Sequence, residues 1–155
     1  MHAIRRKDRE ITDRNALQAI MREAQVCRLG LSDDGMPYVV PMNFGLGENR
    51  LYLHCATEGR KLDILRKNNR VCFEMDLLRE IRQGPQPCGW GARYESIIGF
   101  GRALFVNDPD EKRAALDRIM DHYGAEGPFS YPDETLAKTA VIRIDIERVT
   151  GKRRE

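Results

Sequence analysis

Residues 35–76 read GMPYVVPMNFGLGENRLYLHCATEGRKLDILRKNNRVCFEMD, and this stretch contains the pattern that decides the fold. Its apolar residues recur at every second position on either side of short Gly- and Asn-containing turns, which is the period of a half-buried strand. The period breaks at Gly59, where a basic segment of helical character begins, and alternation returns at Val71–Met75. The stretch therefore predicts strands that flank one short helix, within a mainly β fold.

The predicted helix starts at Gly59-Arg60-Lys61, a combination suited to binding a phosphate. The first amide N–H groups of a helix lack partners within the helix, and its dipole places positive charge at this end. Two adjacent cations add charge-assisted donors for an anion. We therefore interpret the segment as an anchor for a phosphorylated small molecule. The alternative is that these cations, with Arg66 and Lys67, only form the solvated face of a short helix.

The length and charge of the chain argue against several classes of protein. A chain of 155 residues fits one domain, and we expect residues 1–155 to form a single unit. The 26 Lys and Arg residues nearly balance the 24 Asp and Glu residues, for a net charge of +2. Because so small a charge gives no general field for nucleic acid or an anionic membrane, we expect neither as a partner.

The N-terminal sequence and the cysteines bear on the cellular compartment. The first residues, MHAIRRKDREITDR, lack the continuous apolar segment of a secretory signal, and no apolar run reaches the roughly 20 residues that span a bilayer. We therefore expect a cytoplasmic protein. The cysteines form no C-x-x-C pair, which argues against a zinc site: Cys27, Cys55, Cys72 and Cys88. Three of them fall in predicted strands, where we expect small, reduced core side chains.

The other periodic segments complete the predicted order of elements. Two helices begin at capping residues, one over about Asp13–Ala24 with Thr12 or Asp13 as its cap, and one from the cap Asp108 to about Tyr123. Besides Val71–Met75, the predicted strands are Val26–Leu31, Tyr38–Phe44, Arg50–Cys55, Ser96–Val106 and Ile142–Ile146, with a turn at Gly45–Asn49. Six or seven antiparallel strands without an internal repeat favour a small closed or split β-barrel with flanking helices.

The segment between the fourth and fifth predicted strands is unusually long. It runs from Leu77 to about Tyr94 and contains Pro85, Pro87 and Trp90. Connections of this length are uncommon in compact domains and are often functional. We therefore expect this loop to have a functional role.

Five segments of the chain are informative when they are taken together. They are RRKDREITD near the N-terminus, VCRLGLSDDGMPYVVPMNF, LYLHCATEGRKLDILRKN, CGWGARYESIIGFGRA and AVIRIDIERVTGK near the C-terminus. In these segments the chain resembles the pyridoxamine-phosphate-oxidase-like family of FMN-binding split β-barrels, and within it the branch that includes the 5-nitroimidazole-resistance proteins. The likeness covers nearly the whole chain, so it implies a split β-barrel as the fold and FMN as the cofactor.

The resemblance also implies an assembly and a set of cofactor contacts. In this family FMN lies across the barrel strands at the interface of two subunits, so the resemblance implies a homodimer. The phosphate would be held by Arg60 and Lys61. The residues that would run beside the isoalloxazine ring are Val40, Pro41, Met42 and Asn43. Those that would line the path of the ribityl chain and the phosphate are His54, Cys55, Ala56 and Thr57.

The resemblance gives roles to three individual residues. Ser96 matches a position that reaches the cofactor across the dimer in the oxidases, and Trp90 from the long loop would cover the cofactor. His54 matches a histidine near the proposed reaction site in the 5-nitroimidazole-resistance branch. It is therefore the candidate catalytic residue, for proton donation or substrate positioning. The alternative is that His54 only forms a hydrogen bond with the cofactor.

Two functions remain open at this point. The first is an FMN-dependent oxidoreductase that transfers electrons from a reduced nicotinamide or another donor to a small organic acceptor, such as a nitro compound. The second is a carrier or sensor that binds a flavin or heme without turnover. Related barrels accommodate FMN, a deazaflavin or heme, so the sequence leaves the physiological ligand open among these three.

Overall fold

A computed structural model describes residues 5–155 of the chain. Within them lie eight strands and four α-helices. The strands are β1 Glu10–Ile11, β2 Cys27–Asp33, β3 Met36–Met42, β4 Phe44–Gly47, β5 Arg50–Ala56, β6 Arg70–Arg82, β7 Gly91–Val106 and β8 Thr139–Arg154. The helices are α1 Arg14–Glu23, α2 Arg60–Lys67, α3 Pro109–His122 and α4 Asp133–Ala137. The single domain expected over residues 1–155 includes residues 1–4, which lie outside the described part.

The strands form one antiparallel sheet whose two edges come together without pairing. Its hydrogen-bonded order is β3-β2-β6-β7-β8-β5-β4, and the short strand β1 is added on β8. The strands at the two edges, β3 and β4, are consecutive in the sequence, and only Asn43 lies between them. Because one residue spans about 3.8 Å, the two edges must meet, and the sheet curls into a barrel. No backbone hydrogen-bond ladder joins β3 to β4, so the barrel is split at Asn43. The predicted split β-barrel with flanking helices is confirmed.

Alternate residues of the strands fill the barrel interior. On β2, for example, Cys27, Leu29 and Leu31 are buried, while Arg28 between them is exposed. The largest fully buried side chains are Phe44, Phe73, Leu29, Leu51, Leu53, Leu62, Ile64, Met75, Ile97, Ile142, Ile144 and Val141. Burial of one such side chain contributes about 1.5–3 kcal/mol, so this core is the main source of stability.

The strand predicted over Tyr38–Phe44 is wrong in its extent. β3 ends at Met42, Asn43 lies between strands, and residues Phe44–Gly47 form β4 on the far side of the split. The turn predicted over Gly45–Asn49 shrinks to its last two residues. The sequence pattern shows no break because both Met42 and Phe44 face the core. The break arises from closure of the barrel, which is a long-range effect.

The long connection predicted from Leu77 to Tyr94 is also wrong. β6 continues to Arg82 and β7 begins at Gly91, so the two strands form one long hairpin with a short loop. Most side chains in the outer half of β6 are exposed. Charged pairs such as Arg93 with Glu80, 3.4 Å apart, replace apolar contacts across the hairpin. Without apolar alternation the periodicity that predicts a strand is missing.

Helices cover parts of the barrel surface. α3 packs against β4 and β5, where a Cβ on Gly45 would lie 2.5 Å from the backbone of Arg118. Only a glycine allows this approach. On α1, the end of the Leu17 side chain packs onto Gly151 of β8, in the space that a Cβ would need. No helix within residues 5–155 is long and apolar enough to span a bilayer.

The helix starts are of two kinds. Asp13 caps α1, and its carboxylate accepts hydrogen bonds from two backbone amides at 3.2 and 3.1 Å. Asp108 caps α3 through the amide of Glu111 at 2.8 Å. By contrast, Gly59 is the cap position of α2, and no side chain of the described residues caps this helix. The five-residue α4 also has no side-chain cap, but its first turn contains Asp133 and Glu134.

Candidate cofactor site

The start of α2 is an open group of backbone donors. Gly59 has φ 132° and ψ 162°, a conformation that L side chains rarely adopt. A Cβ here would meet nothing within 4 Å, so the backbone conformation, not the available space, requires the glycine. The amides of Leu62 and Asp63 donate to the Gly59 carbonyl at 2.9 and 3.2 Å. The amides of Arg60 and Lys61 have no acceptor among residues 5–155 and can bind an anion.

The side chains of Arg60 and Lys61 are held against β3. The Arg60 guanidinium carbon lies 4.7 Å from the centroid of the Tyr38 ring, which is a cation–π contact. The Lys61 ammonium donates to the Met42 sulfur, with 3.3 Å between Nζ and Sδ. Neither cation forms an ion pair with a carboxylate of the described chain. Their positive charge is therefore available to a ligand.

Lys61 lies where the two sides of the split come together. It contacts Met42 at the end of β3, and its charge acts on His54 and Cys55 of β5. Partial burial raises the pKa of Cys55, and the neighbouring ammonium opposes that shift. Partial burial lowers the pKa of His54, and the charge of Lys61 lowers it further. Both side chains are consequently neutral at pH 7, and the fixed positive charge belongs to the two cations of α2.

The free edge of β3 faces the split. Among the described strands β3 pairs only with β2, so its second edge has unpaired backbone groups. Val40 and Met42 face the interior opposite core residues of β2. Pro41 and Asn43 are exposed, and the proline fits an edge strand because it has no N–H to pair. This edge can hydrogen-bond the polar rim of a planar ring.

The structure brings most of the predicted site residues to one end of the split. β5 ends at Ala56, exposed Thr57 follows, and α2 begins at Arg60. The contacts of Lys61 join this segment to β3. We call this region the cradle, and its residues are Val40, Pro41, Met42, Asn43, His54, Cys55, Ala56, Thr57, Arg60 and Lys61.

Ser96 and Trp90 are not brought to the cradle of their own chain. Ser96 lies on β7, and β2 and β6 separate this strand from β3, about 14 Å along the sheet at the usual strand spacing. Trp90 lies in the loop between β6 and β7, where its indole N–H donates to the Gly84 carbonyl at 2.9 Å. The predicted contacts of Ser96 and Trp90 with a cofactor therefore require a second copy of the chain.

Two features were missed by the sequence reasoning. Tyr38, which holds Arg60, was not among the predicted residues, although it lies two positions before Val40 on the same face of β3. The two-residue spacing between Tyr38 and Val40, together with the basic start of α2, could have indicated that Tyr38 belongs to the site. The second feature is a cleft of about 960 Å³ bounded by α1, α3, the β4–β5 turn and β8. This basal cleft, lined by Leu17, Leu46, Arg118, Val149 and others, contains none of the cradle residues.

Solved structures share the split-barrel fold of this chain. A crystal structure from Bacteroides thetaiotaomicron, provisionally assigned to 5-nitroimidazole antibiotic resistance, is 39% identical to the chain with a TM-score of 0.83. The match covers 92% of this chain and 85% of that one. The FAD- and heme-binding protein of Mycobacterium smegmatis is 22% identical with a TM-score of 0.86, over 95% of this chain and 74% of that one.

Sequence comparison identifies the family. An uncharacterized protein of Rhizobium meliloti (strain 1021) is 29% identical over 73 residues, which are 47% of this chain and 48% of that protein. The match thus spans about half the length of this curated relative. The profile of the family described as pyridoxamine 5'-phosphate oxidase matches residues 13–153. The chain belongs to the pyridoxamine 5'-phosphate oxidase family.

Proposed function

We propose that the protein is a flavoprotein that binds FMN at the cradle and reduces a small organic acceptor. The observation that carries the proposal is the uncapped start of α2. Two backbone amides without acceptors in the described chain and two cations without ion-pair partners there, Arg60 and Lys61, point to one anionic group. The terminal phosphate of FMN matches this donor set in charge and in hydrogen-bonding capacity.

The rest of the cradle fits the remaining parts of FMN. The unpaired edge of β3 at Val40–Asn43 would orient the ring, and the strand end His54–Thr57 would run beside the ribityl chain. When bound, FMN supplies one- and two-electron transfer. The protein would hold the phosphate, fix the ring and provide a proton near the acceptor.

His54 is the residue of the cradle best suited to handle a proton. Its side chain lies at the protein surface, and because its pKa is lowered, the imidazolium that can donate a proton forms below the ordinary value of about 6.5, while the neutral imidazole present at pH 7 can accept one. The proposed acceptor class is a nitro compound such as a 5-nitroimidazole. The relative that is 39% identical, with its provisional assignment to 5-nitroimidazole resistance, supports this choice.

We further propose that the protein acts as a homodimer that completes the site. The outer surface of the sheet carries exposed apolar side chains, with Val39 63% and Ile98 45% exposed. Ser96 lies two positions from Ile98 on the same face of β7. A second copy packed on this surface would bury the apolar residues and could bring Ser96 to the partner's cradle. Light scattering can test the homodimer. The parent protein is expected to be a dimer, and Ile98→Lys, which places a charge on the apolar surface, is expected to be a monomer. A parent protein that is monomeric while FMN is tightly bound would overturn the proposal.

The second candidate function is a flavin or heme carrier or sensor without turnover. One observation favours it: the large basal cleft contains no cradle residue, so it does not provide a substrate cavity beside His54. The fold neighbour from Mycobacterium smegmatis binds FAD and heme, which is compatible with such a role for this fold.

The experiment that separates the two functions starts from the visible spectrum of the purified protein. Flavin absorption bands are expected, whereas a Soret band would indicate heme instead. The bound flavin is then mixed with NADH or NADPH, and nitroaromatic and quinone acceptors are supplied. Multiple turnovers support the oxidoreductase, and a flavin that is reduced without any acceptor turnover supports the carrier. A protein that binds no flavin even when FMN is added overturns the proposal.

A further inference from the structure

The basal cleft exposes the margin of the hydrophobic core. Four of its lining side chains, Leu17, Leu46, Ile146 and Val149, pack against the core but are only partly buried. Their uncovered sides form an apolar floor. A cleft of about 960 Å³ lies within the range of roughly 300–1,000 Å³ that is usual for small-molecule sites.

The apolar floor is accessible because the barrel wall has a gap at this point. On one side, β8 pairs with β5 as far as Asp145, and Asn49 then bonds the Ile146 backbone through both its own backbone carbonyl and its side-chain amide. The pairing of β8 with β1 begins only at Gly151. On this side of β8, residues 147–150 therefore have no strand paired with them. Helices α1 and α3 border the opening without closing it.

The walls of the cleft have an excess of positive charge. Five arginines line it, Arg14, Arg22, Arg50, Arg118 and Arg148, against three carboxylates, Glu48, Asp121 and Glu147. Arg50 is already paired with Asp145 at 3.2 Å, and Glu147 with Arg102 at 2.9 Å.

Three of these arginines and two of the carboxylates, Glu48 and Asp121, form no ion pair among residues 5–155. Arg14 and Arg118 have no ion-pair partner among residues 5–155, and both are exposed at the cleft. Arg22 contacts only the neutral Gln18, at 3.4 Å. An apolar floor beneath unpaired guanidinium groups is complementary to a molecule with an apolar body and an anionic head.

We propose that the basal cleft binds an organic carboxylate with an apolar body, held by Arg14 and Arg118 above the apolar floor. This site is separate from the proposed flavin site. β5 runs from Arg50 at the cleft to Ala56 at the cradle, which is about 20 Å of extended strand. A ligand in the cleft is therefore too far away to be the electron acceptor, and it would act as a second ligand or effector.

The test uses the full-length, flavin-loaded protein and three probes of matched size. Laurate and 1-naphthoate supply an aliphatic and an aromatic carboxylate, and undecyltrimethylammonium supplies the same alkyl chain as laurate with the opposite charge. Calorimetric titration below the micellar concentration should give saturable, one-to-one binding of at least one carboxylate and none of the cation. The preferred carboxylate then distinguishes an aliphatic from an aromatic ligand.

The variant Arg14→Gln/Arg118→Gln should weaken carboxylate binding by at least about tenfold, because it removes two charge-assisted contacts. Arg113→Gln is the matched control, since it removes one charge from the same helix α3 but lies outside the cleft, and it should change affinity less than about twofold. Unchanged melting temperature and FMN affinity show that the double variant is folded. The proposal is overturned if neither carboxylate binds saturably, if the cation binds equally well, or if the double variant binds like the parent.

Discussion

The helix starts of α1 and α3 differ from the start of α2 in the group that satisfies their backbone donors. In α1 and α3 an aspartate, Asp13 or Asp108, accepts from the first amides and supplies the negative charge that the helix dipole favours. In α2 the cap position is Gly59, and two cations follow it. No side chain of the described chain accepts a hydrogen bond from the first amides of this helix. Each capped start thus has a carboxylate of the chain itself beside its first amides. α4 also has no side-chain cap, but Asp133 and Glu134 lie in its first turn. The start of α2 combines a missing cap with two cations, which is why we propose that the phosphate of FMN binds there.

The largest expected effect is on FMN binding when the cations of the uncapped start are removed. Each charge-assisted phosphate contact is worth roughly 1.5–3 kcal/mol, so Arg60→Ala/Lys61→Ala should lower FMN affinity by at least about a hundredfold. Fluorescence titration measures this loss. Arg66→Ala removes a cation from the last turn of the same helix and should change affinity less than about threefold. If Arg66→Ala lost as much FMN affinity as Arg60→Ala/Lys61→Ala, the net positive charge of the helix, and not direct contact with the phosphate, would explain the effect.

A second change tests whether the backbone conformation of Gly59 is required. Gly59→Ala should cost about 1–3 kcal/mol of stability, since φ 132° is a glycine conformation, and it should also weaken FMN binding by displacing the free amides. Gly124→Ala is the matched control, because Gly124 also has positive φ, 80°, and open space around it. The control should lose stability in urea unfolding and keep FMN affinity. If Gly59→Ala binds FMN like the parent, the amides are not part of the site.

A third change, at His54, separates cofactor binding from catalysis. In flavin-saturated samples, His54→Ala should lower acceptor turnover by at least about tenfold while FMN affinity is largely kept. Because the pKa of His54 is lowered and the imidazolium is the proton donor in this scheme, turnover should fall as pH rises through a value below about 6.5. The variant should lack that pH step. A variant with the parental rate and pH profile would leave His54 as a cofactor contact only.

The smallest expected effect concerns the capped starts. Asp108→Ala should lower the free energy of unfolding by about 1 kcal/mol, the usual value of a side-chain cap, and should leave FMN affinity unchanged. Asp13→Ala should behave alike on α1. A loss of FMN affinity in either variant, measured at a temperature where it is folded, would contradict the separation between structural and ligand-binding helix starts.

The elements that the sequence predicted well are those whose burial is periodic or whose ends have chemical markers. Helix α3 was predicted from Asp108 to about Tyr123 because a cap and a proline stand together at its start, and the structure has it at Pro109–His122. The outer halves of β6 and β7 were missed because they pair with each other through exposed, charged side chains and not through a core. The break at Asn43 was missed because closure of the barrel depends on strands that are distant in sequence.

The candidate site was only partly visible for the same reason. The Gly59-Arg60-Lys61 start could be predicted locally, since a glycine and two cations at a helix start are adjacent in sequence. The contact of Lys61 with Met42 joins residues that are 19 positions apart and depends on how the split closes. The basal cleft assembles residues from Thr12 to Val149, and no local pattern indicates it.

The most direct test of the central claim compares FMN with riboflavin, which has the same ring and ribityl chain but no phosphate. If the uncapped start of α2 binds the phosphate, the parent should bind FMN at least about a hundredfold more tightly than riboflavin in a fluorescence titration. In Arg60→Ala/Lys61→Ala the two affinities should become nearly equal. Equal affinity of the parent protein for FMN and riboflavin would contradict the account.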